Sequence, residues 1–314
     1  MRNTYNIIRV TEVFILSETG KKLLYIINPR AGVQTSSRGM YTVVNAFCAA
    51  GCDVSVRVTQ CAGDACETVK NTGGQYDYIV CSGGDGTLNE VITGLLTLEN
   101  KPRIGYIPSG STNDFGTNMG LKKNDFKGGT KRIISGEPFP MDVGLIEGRP
   151  FCYVASFGAF TEISYATPQA SKNFWGKLAY FLEVPKDLSS IKPIHLKVTD
   201  ADGNVSEGDY LFGCVSNTFS MAGIVKFENL KVKLDDGKFE CMLIRDTKNP
   251  VVITEIAAAI LSKEFKSDHI DILRSSKFTF EFDTPQDWTL DGEYGPFDKK
   301  VTISVAEKAM TIMI

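Results

Sequence analysis

Apolar and polar residues follow two rhythms along this chain, and the rhythm changes near Met141. Before that point, apolar runs alternate with helical spacing. KKLLYIINP (21–29) is a short apolar run ending in Asn-Pro, which predicts a buried strand that stops at a turn. MYTVVNAFCAAG (40–51) has helical spacing and a stop at Gly51. CDVSVRVT (52–59) places Val54, Val56 and Val58 on one face of a strand. GDACETVKNTGG (63–74) reads as a helix with an acidic first turn and a glycine end, and YDYIVCSGG (76–84) as a strand running into glycines. A helix over TLNEVITGLLTLEN (87–100) and a strand over PRIGYIPSG (102–110) complete the series. Strands alternating with helices predict a parallel sheet covered on both faces.

After Met141 the segments are strand-rich, with hairpin signals such as DADGN (200–204), and only 173–184 and 249–265 have helical spacing. The expected fold class is therefore α/β: a three-layer nucleotide-binding domain at 21–141, then a mostly antiparallel β domain at 142–314. Residues 1–20 form an N-terminal extension, and the last strand is free to return to the first domain. NFWGKLAYFLEV (173–184) is amphipathic and aromatic, which suits a core helix or a surface resting on a membrane.

Composition narrows the picture little. The 314 residues are 43% hydrophobic and 23% charged, enough for a large core. The net charge of −3 gives no pull toward nucleic acid. Eight cysteines without a CxxC pair read as buried free thiols in a reducing cytoplasm, not as zinc or disulfide frameworks. Two histidines, His195 and His269, leave little room for a His-based triad or zinc site. No apolar run approaches the roughly 20 residues of a membrane helix.

The chemistry is carried by four turns. In SGGDGTLNEV (82–91), two glycines end a strand and let the backbone approach a ligand, and a helix starting near Thr87 or Leu88 points its free N–H groups into the turn. That makes an anion site suited to phosphates. Asp85, set in this turn, is either a helix cap or a Mg²⁺ partner. IPSGSTNDFG (107–116) is either a polar loop or a second phosphate-facing loop, with Asp114 as a further carboxylate. INPRAG (27–32) is a tight turn after a buried strand. LDGE (290–293) is a hairpin signal, or else it presents Glu293 as the base that accepts a hydroxyl proton. The Walker A string is absent, so this is not a P-loop.

Together these turns, with Thr59, GDA (63–65), MDVG (141–144) and LDDGKFE (234–240), occur in an order that resembles the diacylglycerol kinase catalytic family, relatives of sphingosine and ceramide kinases. The resemblance spans about residues 21–314. It implies a fold like that of NAD kinases, with ATP in the interdomain cleft. It implies nucleotide contacts from Asn28, Pro29, Arg30, Ala31 and Gly32, from Thr59, from Gly84, Asp85, Gly86, Thr87, Leu88, Asn89 and Glu90, and from Ser111. It makes Glu293 the catalytic base with Asp291 as its close partner, and sets Asp114 near the phosphoryl-transfer site. It links Asp85 and Asp142 to an active-site Mg²⁺. It assigns a structural Mg²⁺ to the Asp236 side chain and the backbone carbonyls of Lys233 and Lys238. The implied activity is ATP- and Mg²⁺-dependent phosphorylation of a lipid hydroxyl, diacylglycerol first. The implied partner is a lipid at the membrane surface, met by a cytoplasmic protein at the inner face; a homodimer is open. Three departures stand out: Ser111 replaces a usual Thr, Gly116 and Thr117 replace a usual Ala-Arg, and NLKVK precedes LDDG. An NAD kinase and a non-catalytic nucleotide- or lipid-binding regulator remain the alternatives.

Overall fold

The computed structural model describes residues 20–31, 36–158, 192–217, 234–262 and 267–314. The N-terminal extension up to residue 19, Gly32, Lys233 and the aromatic segment 173–184 lie outside the described residues.

The first half alternates as its pattern demands. Strands β1 (Lys22–Ile27), β2 (Asp53–Val58), β3 (Tyr78–Gly83) and β4 (Arg103–Pro108) are joined through helices α1 (Ser36–Ala49), α2 (Asp64–Thr72) and α3 (Asp85–Leu95). The four strands pair in parallel in the order β2-β1-β3-β4. In β1, Leu23, Tyr25 and Ile27 pack on one face with Val43 and Phe47 of α1. Leu24 and Ile26 pack on the other face with Val69 of α2 and Leu88 and Val91 of α3. A strand buried on both faces reads as an unbroken apolar run, which is why KLLYII shows no alternation. Among the described strands β2 is the outermost, and it keeps Val56 and Val58 exposed.

Two helices follow β4 that the apolar spacing does not announce: α4 (Asp114–Asn118) and α5 (Phe126–Ser135). Both depend on caps rather than periodicity. The Asp125 side chain accepts the Gly128 N–H at the start of α5, and α4 is capped from a distance, as described below.

The remainder is antiparallel. Strands β5 (Pro138–Ile146), β6 (Arg149–Phe151), β7 (Val154–Gly158), β8 (Ile194–Asp200), β9 (Val205–Ser216) and β10 (Phe239–Arg245) precede helix α6 (Pro250–Ser262). Strands β11 (Ile270–Ser275), β12 (Lys277–Phe282), β13 (Gln286–Leu290), β14 (Glu293–Phe297) and β15 (Lys300–Met313) complete it. The DADGN signal is the β8–β9 turn, where Asp200 Oδ1 accepts the N–H groups of Asp202 and Asn204. Trp288 is fully buried among Phe157, Phe280, Phe282 and Phe297, so it is a packing residue. β15 pairs antiparallel with β12 and β5 and, at Ile312↔Ile104, parallel with β4. All eight cysteines are free, but Cys48 and Cys61 are exposed, contrary to the buried reading for these two.

Candidate active site

The glycine turn forms where β3 ends and α3 begins. Gly84 is the extended N-cap, with φ −90° and ψ −174°, and makes no side-chain cap. The helix therefore starts at Asp85, not at Thr87 or Leu88, and Gly86 belongs to its first turn. The N–H groups of that turn have no intrahelical partner, which is the condition for holding a phosphate. The loop after β4 lies directly against it. Ser109 N and Gly110 N both donate to Gly83 O, at 2.8 and 3.2 Å. Asn113, in the left-handed region at φ 56°, clamps this loop by accepting the Gly110 N–H and donating to Gly110 O, each at 2.8 Å. A Cβ on Gly110 would lie 2.4 Å from Gly84 Cα. Gly110→Ala must therefore separate the two loops. Its nucleotide affinity should fall by about tenfold or more, read by calorimetric titration.

A cleft of about 350 Å³ opens over these turns, within the size range of small-ligand sites. Asn28, Arg30 and Ala31 line it from the turn after β1, and Thr59 from the end of β2. Asn28 N donates to Ser82 O and Thr59 N to Ile27 O, both at 2.9 Å, so neighbouring strand ends are held on one rim. Asn28 Nδ2 donates to Thr87 Oγ1 at 2.9 Å. Gly84, Gly86, Thr87 and Glu90 form the floor. Glu90 also accepts the N–H groups of Gly63 and Ala65, fixing the loop that leads into α2.

Other expected contacts fall elsewhere. Leu88 is fully buried in the core. Asn89 turns its amide away, donating to Pro150 O at 3.0 Å and Asp291 Oδ2 at 3.4 Å. Ser111 is exposed, and its carbonyl accepts from Lys123 Nζ. Pro29, like Ser111, is outside the cleft lining. Gln60, Cys61 and Ala62, which motif reading passes over, line the cleft. Their only sequence signal is their place between Thr59 and the GDA segment.

The carboxylates divide into distinct tasks. In LDGE, Asp291 and Gly292 form the two-residue turn between β13 and β14, at φ 51° and 91°. Positive φ at both centres fits the right-handed twist of a hairpin. The Asp291 carboxylate points inward and accepts N–H groups from Cys152, Tyr153 and Val154 at 2.7, 2.8 and 2.9 Å. Burial pushes this carboxyl up to about 6, against the lowering effect of those three donors. Glu293 stands exposed on the other side of the turn, so that a Cβ on Gly86 would sit 2.5 Å from its Oε1. The hairpin and general-base readings of LDGE are thus compatible.

Asp85 accepts from Asp114 N at 2.9 Å and Phe115 N at 3.2 Å, capping α4 across the turn. Burial, then the neighbouring Asp114, pushes its carboxyl up to about 6. Asp85, between the cleft-lining Gly84 and Gly86, and Asp114 beside it are hard oxygen donors of the kind Mg²⁺ takes, so this pair fits the cation. The Asp142 carboxylate, which the resemblance links to the same Mg²⁺, makes its hydrogen bonds with other partners. Its two oxygens accept from Gly237 N and Lys308 N, both at 2.7 Å, and its acidic neighbours are Asp236 and Glu307. The reason is register: Asp142 lies on β5 beside β15, and its N–H donates to Leu234 O.

The profile of the Diacylglycerol kinase catalytic domain matches residues 22–146, the stretch that carries both glycine turns. A diacylglycerol kinase of Bacillus subtilis (strain 168) is 32% identical over 278 residues, covering 88% of this chain and 90% of that protein. One from Staphylococcus aureus (strain JH9) is also 32% identical, over 88% and 87%. Two solved structures of proteins assigned to diacylglycerol kinases in Bacillus anthracis str. Sterne align with TM-scores of 0.77 and 0.78. They are 27% and 26% identical, covering 93% of this chain and 95% and 97% of theirs. With a cleft between glycine turns and the Glu293 carboxylate in its lining, this chain belongs to the diacylglycerol kinase family of lipid kinases.

Proposed function

We propose that the chain transfers the γ-phosphoryl group of ATP to the hydroxyl of diacylglycerol, giving phosphatidic acid. The observation that carries this reading is the Glu293 carboxylate held against Gly86, where a phosphate on the α3 turn would meet it. The relatives' shared name supports the acceptor.

ATP lies over the turns at Gly84 and Gly110, with its phosphates on the N-terminal N–H groups of α3. Glu293 accepts the proton of the lipid hydroxyl. The resulting oxygen attacks the γ-phosphorus, the bond from that phosphorus to the β–γ bridging oxygen breaks, and ADP leaves. Glu293 then returns its proton to solvent. Mg²⁺ bound at Asp85 and Asp114 would supply charge neutralisation at the phosphates. Glu293 is exposed at the cleft mouth, as a base for an acceptor arriving from outside must be. The acceptor comes from a membrane surface, which the protein meets peripherally. Among the described residues no helix is long and apolar enough to cross a membrane.

A radiolabelled-ATP transfer assay over mixed micelles tests the assignment. Diacylglycerol, phosphatidylglycerol and a sphingoid base are offered alongside NAD. Label is expected in phosphatidic acid. Label in phosphatidylglycerol or the sphingoid base alone would overturn the acceptor, and label in NAD alone would overturn the lipid chemistry.

A further inference from the structure

The turn Leu234–Lys238, where the resemblance sets a structural Mg²⁺, is closed by the protein's own cation. Glu240 and Arg274 are direct cross-strand partners on β10 and β11, so their side chains share one face of the sheet. Arg274 Nε donates to Glu240 Oε1 at 3.1 Å, and its Nη2 reaches past the strand end to Asp236 Oδ2. The other Asp236 oxygen accepts the Lys238 N–H at 3.1 Å. Glu240 is 1% exposed, and its second oxygen is buried with no hydrogen-bond partner among the described residues. A buried carboxylate demands a counter-charge, and among the described residues the guanidinium bonded to it is that of Arg274. Asp142, the neighbouring carboxylate, accepts the backbone N–H groups of Gly237 and Lys308. The Asp236 side chain therefore does not fit a divalent cation: the oxygen it would offer is bonded to a planar, permanently charged fork.

We propose that Arg274 replaces the structural metal in this chain. Its guanidinium ties the Asp236 turn and the buried Glu240 to β11, so that this part of the fold needs no Mg²⁺. Gly237, at φ 72°, completes the turn, and its N–H is held by Asp142. The fork thus secures β5, β10 and β11 at one point.

The test is thermal melting of the full chain without nucleotide, after chelation and again with excess MgCl₂. Wild type and Asp236→Asn should show the same response to Mg²⁺. Arg274→Gln should melt roughly 5–10 °C lower, because it strands a buried carboxylate. Arg274→Lys, which keeps a cation on a similar stem, should recover part of that loss, and its melting should respond to Mg²⁺ as that of wild type does. The proposal is overturned if Mg²⁺ raises the wild-type melting temperature and Asp236→Asn abolishes the rise. It is also overturned if Arg274→Gln melts like wild type. Should Arg274→Gln fail to fold, the comparison of wild type with Asp236→Asn still decides.

Discussion

Glu293→Gln binds nucleotide like wild type and loses roughly 100-fold or more in turnover, the usual scale for removing a general base. The variant keeps the size and shape of the side chain beside Gly86, so the cleft and its phosphate-facing N–H groups are unchanged. What it removes is the capacity to accept a proton. The loss should therefore appear in kcat, with the KM for ATP little altered, since Glu293 acts on the acceptor hydroxyl rather than on the nucleotide. A steady-state assay with diacylglycerol as acceptor, paired with calorimetric nucleotide binding, reads both quantities. Turnover within a few-fold of wild type would remove Glu293 from the chemistry.

Asp291→Asn should lose stability as well as turnover, although Asp291 makes no contact with the cleft. Asn tolerates the left-handed turn position, so the backbone is not the cause. The cause is donor count. One Asp291 oxygen accepts from Tyr153 and Val154, the other from Cys152 and Asn89. Whichever arm becomes NH₂, two N–H donors then face a donor, at a cost of about 2–4 kcal/mol. The hairpin loosens and Glu293 with it, so kcat should fall while ATP binding holds. Denaturant unfolding of both proteins measures the stability loss. Its pH dependence has a definite sign. Burial raises the Asp291 carboxyl to about 6 in the folded protein. Folded protein therefore binds its proton more tightly than unfolded chain does, and this group's contribution falls as pH rises from about 4 to about 6. The gap between wild type and Asp291→Asn should narrow across that window. A gap that widens would show that ionised Asp291 is the stabilising form.

The parts legible in the sequence are those whose physics is local. A continuous apolar run betrays a strand buried on both faces, and glycines after it betray a turn that must approach something closely. GGDG and LDGE were readable for that reason, as was the change from α/β to antiparallel structure. The parts that were not legible depend on register between distant segments. Asn89 reaches Asp291 across 202 positions, and nothing near Asn89 shows that its amide turns away from the nucleotide. Asp142 sits in an MDVG string that resembles an active-site motif, yet β5 pairing with β15 carries it to Gly237 and Lys308. Helix α4 escaped because its cap, Asp85, lies 29 positions earlier. Arg274 escaped because its meaning depends on standing opposite Glu240. Gln60, Cys61 and Ala62 carry no distinctive chemistry; only the parallel pairing of β2 puts them on the rim.

The strand β15 gives this fold a particular history on the ribosome. Translation delivers β1 to β4 first, and these make a parallel sheet whose β4 edge stays bare until residues 300–313 have been made. A nascent chain must therefore carry an unpaired, apolar sheet edge while residues 109–299 are being made. Protection of that edge falls to whatever folds transiently against it or to the cell's holding chaperones. The sheet that carries the glycine turns is completed only when β15 has been made and pairs with β4.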